Sequence, residues 1–109
     1  MMPKRPQSRT YWRQQDKITT VRSAIDFYST QRKLAGIVPA RATWRELRFT
    51  FVQTVRHPNT HDIKESELWE MLETLIRWGC VKRYRGVCFD TYEMDWEVMR
   101  KFERMTIQT

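Results

Sequence analysis

Residues 72–92 read LETLIRWGCVKRYRGVCFDTY, and the change of pattern within them decides the fold. Up to Trp78 the apolar residues recur three and four apart, the period of one helix face. Gly79 follows where a helix is expected to stop. Beyond it, residues 80–84 and 87–92 are rich in β-branched and aromatic side chains, with Arg85-Gly86 between them as a tight turn. The segment predicts a helix running through a glycine into a hairpin with a basic tip, Lys82, Arg83 and Arg85. On that register Arg83 faces Cys88 and Cys80 lies near Thr91, so the cysteines are offset along the hairpin and a disulfide is not expected.

Working back from Trp78, the helix is expected over 63–78, with Leu68, Met71, Leu72 and Leu75 as its buried stripe. Its outer face carries Glu65, Glu67, Glu70 and Glu73. Trp69 falls off the main stripe, beside these glutamates. It reads either as the anchor of a protein interface, with Glu67, Glu70 and Glu73 around it, or as core packing against the first helix. A second helix is expected over 44–56. Thr43 followed by Glu46 fits a capping box. Trp44, Leu47, Phe51 and Val55 form its stripe, widened by Phe49 and Val52, while Arg41, Arg45 and Arg48 follow its flank. A first helix is expected over 17–35, from Ile18, Val21, Ile25 and Tyr28 to a stop at Gly36. Beyond the hairpin, Asp95 is the expected cap of a last helix over 96–105 with Val98, Met99, Phe102 and Met105 inward, and 106–109 are expected to fray.

Residues 1–16 read as a flexible basic arm. Pro3 and Pro6 oppose a helix, and Lys4, Arg5, Arg9 and Arg13 alternate with polar residues, Tyr11 and Trp12. Such an arm can order along phosphates or in a groove; the alternative is a solubilising tail. The organisation is thus an arm over 1–16, one domain over 17–105 and a tail over 106–109.

The charge is unevenly spread. Net charge is +7 over 109 residues, but residues 1–61 hold 12 Lys and Arg against 3 Asp and Glu, whereas 62–109 hold 8 against 10. Nine of the first 12 are Arg, the side chain suited to planar contact with phosphate and base edges. A field of one sign on one half attracts polyanions. Five Trp, five Phe and four Tyr supply material for a core, so global disorder is not expected. No apolar run is long enough to span a membrane. Met1 to Arg13 lack the apolar stretch of an export signal, so a cytoplasmic location with free thiols at Cys80 and Cys88 is expected.

Catalytic patterns are missing. There is no Gly-x-Ser-x-Gly, and the chain has only three glycines, too few and too scattered for a phosphate loop. His57 and His61 with the two cysteines lack zinc-site spacing. No enzyme activity, cofactor or metal is expected.

The helix–glycine–hairpin of 72–92 resembles the end of a winged-helix domain, within the helix-turn-helix superfamily, the hairpin being the wing. The resemblance implies a mostly α fold with a small β-hairpin: three to four helices, the wing and a terminal helix. It also implies that the helix before the wing enters the major groove. Here that helix is acidic, and phosphates would repel it. The residues matching a contact role are the wing tip, Lys82, Arg83 and Arg85.

The expected function is therefore a small, basic, non-enzymatic nucleic-acid-binding protein, a regulator or accessory factor of phage or plasmid type. It would bind DNA more than RNA through Arg5, Arg9, Arg13, Arg41, Arg45, Arg48, Lys82, Arg83 and Arg85, with Gln53 and Thr54 in reach of base edges. The alternative is a protein-interaction module, such as a phage-encoded inhibitor of the anti-CRISPR kind, acting on a nucleic-acid-processing complex. A protein partner or homodimer fits either; a membrane partner does not. In a third arrangement the arginines pair with the acidic helix within the domain.

Overall fold

The computed structural model describes residues 9–57 and 62–108, apart from the side chains of Arg9 and of 105–108. The elements run α1 (Arg9–Leu34), β1 (Ala42–Thr43), α2 (Trp44–Val55), α3 (Glu65–Arg77), β2 (Val81–Tyr84), β3 (Thr91–Met94) and α4 (Trp96–Gln108). The fold is mostly helical, with one small antiparallel sheet of order β1-β3-β2. Val21, Ile25, Leu47, Phe51, Leu68, Leu72 and Leu75 interlock between α1, α2 and α3. Tyr92 and Met94 of the sheet and Met99 of α4 close this core. No helix among the described residues is long and apolar enough to cross a membrane.

The local stop and start signals hold. α1 and α3 end alike, each on a glycine with positive φ, Gly36 at 74° and Gly79 at 82°. In each the glycine N–H reaches back three residues, to the Lys33 and Ile76 carbonyls, and the next N–H reaches back five, to Arg32 and Leu75. A left-handed residue there lets orphan carbonyls at the helix end find donors, and glycine adopts it without a Cβ clash. At the start of α2, the Glu46 N–H donates to Thr43 Oγ1 and the Thr43 N–H returns to Glu46 Oε1, the expected capping box. Asp95 caps α4 by accepting the Val98 N–H at 3.1 Å.

Four expectations are corrected. The arm does not persist to residue 16, because α1 begins at Arg9. Its extra turns have a surface to lie on: Arg13 bonds Glu67 at 2.7 Å and the Asp62 carbonyl at 3.3 Å, and Lys17 reaches Glu67 at 3.8 Å. Residues 1–8, with Arg5, lie outside the described residues.

The hairpin does not turn at Arg85-Gly86. Arg83 pairs with Tyr92 and Val81 with Met94, so residues 85–90 connect the strands. A two-residue turn would set Asp90 opposite the buried Val81. The observed register places Met94 there, and a carboxylate without a partner would be costly in the core. β1 fixes the same register from the other edge, pairing Ala42 with Tyr92 and Thr43 with Thr91, while the Trp44 N–H takes the Asp90 carbonyl. Cys80 is buried at the foot of the hairpin and Cys88 exposed in its loop, both as free thiols.

Third, α4 continues through Gln108, beyond the expected end at 105. Fourth, Phe49 and Trp44 do not belong to the buried stripe of α2: Phe49 is 62% exposed and Trp44 43%.

Candidate nucleic-acid interface

On a helix, residues spaced 3, 4, 7 and 11 apart share one face. Arg45, Phe49, Val52 and Arg56 follow that spacing, and Arg48 and Gln53 flank them. Leu47 and Phe51, both fully buried, fix the opposite face of α2 against the core. Burial of two side chains therefore decides that three arginines and an exposed phenylalanine point outward. Arg45, Arg48, Gln53 and Arg56 are exposed. Among the described residues none of these arginines has a carboxylate partner; Arg48 instead sits 5.9 Å from the Trp44 ring.

Most other arginines are occupied. Arg22 pairs with Glu103. Arg32 meets Glu46 with two nitrogens on two oxygens, at 2.8 and 2.9 Å. Arg41 does not continue the Arg45–Arg48 flank, because it precedes the first turn of α2. Its guanidinium lies 3.4 Å over the Tyr84 ring and bonds Glu93 at 3.5 Å. Arg83 is held between Glu73, Asp90 and the Tyr92 ring. Lys82 reaches Asp95 at 3.8 Å. Of the expected wing-tip cations, only Arg85 stands exposed without an ion pair among the described residues.

The acidic face of α3 is consumed from the same side of the ledger. Glu67 caps the helix through the Lys64 N–H at 2.8 Å and holds Arg13 and Lys17. Glu73 holds Arg83. Glu65 accepts the Trp69 indole N–H at 2.9 Å. Glu70 and Glu73 are both exposed, and Glu70 alone of the four has no side-chain partner among the described residues. Trp69 is no outward anchor. It stacks on Trp44 at 5.6 Å and meets the Phe51 ring edge-on at 4.8 Å, so it packs against α2 at the margin of the core. Stacking of this kind adds to the burial it accompanies.

The structure thus brings Arg45 and Arg48 together and adds Arg56. It turns Arg13, Arg41 and Arg83 to internal partners, and Arg85 stands exposed on the 85–90 loop. Arg56 was legible, lying 11 residues from Arg45 and 8 from Arg48. Thr54 is spoken for, its hydroxyl donating to the Thr50 carbonyl at 2.8 Å.

Two of the internal pairs tie elements together and should be acid-sensitive. Burial would raise the Glu46 carboxyl, but the Arg32 and Thr43 hydrogen bonds outweigh it and hold it below its ordinary value. The Lys64 N–H, with Arg13, does the same for Glu67. Groups that titrate lower when folded stabilise the fold above their ordinary pKa, and the contribution is lost as pH falls through the folded value. The urea midpoint should therefore fall between about pH 5 and pH 3. Glu46→Gln should start lower at neutral pH and lose less over that interval. An equal acid loss in both proteins would remove Glu46 from this account.

Among the described residues no group of three or more His, Cys, Asp or Glu side chains could hold a metal ion. The α2 face offers positive charge, one apolar ring and one amide. Comparison with family models, with curated proteins and with solved structures finds no significant match to this chain.

Proposed function

We propose that this chain is a small, non-enzymatic nucleic-acid-binding protein, a DNA-binding regulator or accessory factor, and that it meets the phosphates with the outer face of α2. The observation that carries the reading is selective pairing. Arg13, Arg22, Arg32, Arg41 and Arg83 are matched to carboxylates, whereas Arg45, Arg48 and Arg56, like Arg85 on the hairpin loop, have none among the described residues, and the three of α2 share one exposed face. Guanidinium groups so placed neutralise phosphates and release counterions. Phe49 between them offers a ring for stacking or groove contact, and Gln53 an amide for a base edge.

A winged-helix-like architecture is part of the proposal. α3 running through Gly79 into the β2–β3 hairpin supports it, as does β1 lacing the hairpin to the start of α2. The contact surface differs from the family expectation, since α2 groups three cations without carboxylate partners on one face, whereas the acidic α3 has one, Arg77, at its last turn. A protein interface on Glu67, Trp69, Glu70 and Glu73 has less to offer, because only Glu70 lacks an internal partner among the described residues.

Titration of labelled duplex and single-stranded DNA at rising salt tests the reading. Three phosphate contacts predict a slope of log K on log salt near −2.7, about 40-fold weaker binding between roughly 50 and 200 mM salt. No binding to either form at low salt would remove it.

A further inference from the structure

A second concavity lies away from the α2 face. It is a cleft of about 530 Å³ between the last turns of α1, the 36–40 connector and the β3–α4 junction. That volume falls within the range of about 300–1,000 Å³ typical of small-molecule sites. Pro39, Met94 and Trp96 give it apolar walls. Its third wall is a stripe of α1, Asp26, Ser29 and Lys33, spaced i, i+3 and i+7 so that all three share one face.

Ser29 makes this more than a surface dent. It is only 8% exposed, and its hydroxyl has no hydrogen-bond partner among the described residues. A helical serine usually bonds the carbonyl one turn back, and a buried hydroxyl left unpaired asks for a reason. A ligand seated in the cleft supplies one. The two ends of the stripe carry opposite charges. Asp26 and Lys33 are exposed, and about 10 Å of helix axis separates them, too far for the pair to close on itself. Among the described residues Asp26 has only a long contact from the Thr30 hydroxyl, at 3.5 Å. Glu93 also lines the cleft but is turned to Arg41.

We propose that this cleft binds a small zwitterion of dipeptide size, its amine toward Asp26, its carboxylate toward Lys33 and its apolar body against Pro39, Met94 and Trp96. An extended dipeptide spans about 7 Å, which leaves each of its charges within one side chain's reach of the matching residue. A polar group at its middle, the peptide amide, meets the Ser29 hydroxyl. The site is independent of the α2 face, so it stands whether or not the chain binds nucleic acid.

The test is a titration of the full ¹⁵N-labelled chain with leucyl-phenylalanine, followed by amide and indole shifts. Saturable shifts at Gly36 and at the Trp96 indole, with a Kd near or below about 1 mM, are expected. Capping the probe's amine or its carboxylate should weaken binding about three- to fivefold, as for exposed ion pairs. Asp26→Asn should abolish the penalty for capping the amine, and Lys33→Met that for capping the carboxylate. Ser29→Ala should weaken binding about three- to tenfold. It should leave thermal stability unchanged or raised, because it removes an unpaired buried hydroxyl. No shift at Gly36 or Trp96 up to about 10 mM probe would overturn the proposal. So would equal affinity for free and capped probes in a folded protein.

Discussion

Arg45→Glu combined with Arg48→Glu lowers affinity for a short DNA duplex about 60-fold at roughly 0.1 M salt, and flattens the salt slope by nearly 2. The magnitude follows from counterion release. Each neutralised phosphate contributes about 0.9 to the slope, close to a decade of affinity per contact at that salt. Reversal also adds repulsion, so this is a lower bound. The fold should not suffer. Both residues are exposed and neither has a carboxylate to lose. Arg45 lies in the first turn of α2, where a negative charge suits the helix dipole, so the change there is favourable or neutral to stability. Wild-type circular dichroism and urea midpoint with lost binding places the interface on α2. Unchanged affinity in the folded variant removes α2 from it. A larger loss from Arg85→Glu alone would move the contact to the hairpin loop.

The same face shows where sequence reading reaches and where it stops. The Thr43–Glu46 box, the Asp95 cap and the glycine stops at Gly36 and Gly79 were legible because each involves residues five or fewer apart. Backbone sterics and orphan hydrogen-bond groups determine such features locally. The hairpin register was not legible from the dipeptide Arg85-Gly86. It is set by β1, some 50 residues away, and by the burial of Met94 opposite Val81. A turn propensity of a fraction of the core's free energy yields to that pairing. The basic residues show the same division. Their number was plain from composition, but which of them face solvent depended on partners up to 81 residues distant, as between Arg22 and Glu103. Pairing within the domain, one of the arrangements open at the outset, holds for Arg13 and Arg83, and Arg45 and Arg48 escape it.

Phe49 illustrates the finer limit. On a helix whose every outward position is polar, an aromatic flanking the apolar stripe is normally counted with it. Here Leu47 and Phe51, with Val55 packed beside them, fill the space facing α1 and α3, and Phe49 is left outside. Single exposed apolar residues are ordinary on protein surfaces. What gives this one meaning is its setting among three arginines without carboxylate partners, a relation that appears once the helix is oriented.

That orientation rests on Phe51, and Phe51→Ala should cost about 3–5 kcal/mol of stability. Phe51 is among the largest fully buried side chains, and its ring meets the Trp69 edge at 4.8 Å while Trp69 stacks on Trp44. Truncation loses the transfer free energy of the ring and opens a cavity between α2 and α3. The neighbours cannot close it without breaking that aromatic stack. A domain of this size has about 5–15 kcal/mol in total, so the variant should remain folded in the cold and melt well below the wild type. Phe51→Leu keeps most of the apolar volume and should lose only about 1–2 kcal/mol. Urea midpoints at constant slope measure both changes. The comparison with nucleic-acid binding separates support from contact. Where Phe51→Ala is still folded, at low temperature, its DNA affinity should lie close to wild type, because it touches no phosphate. The Arg45 and Arg48 reversals should do the opposite, lowering affinity at every temperature while the melting curve stays in place. If Phe51→Ala loses binding while fully folded, α2 has turned on its axis, and the outward placement of the arginines depends on this one ring more strictly than burial of Leu47 can maintain.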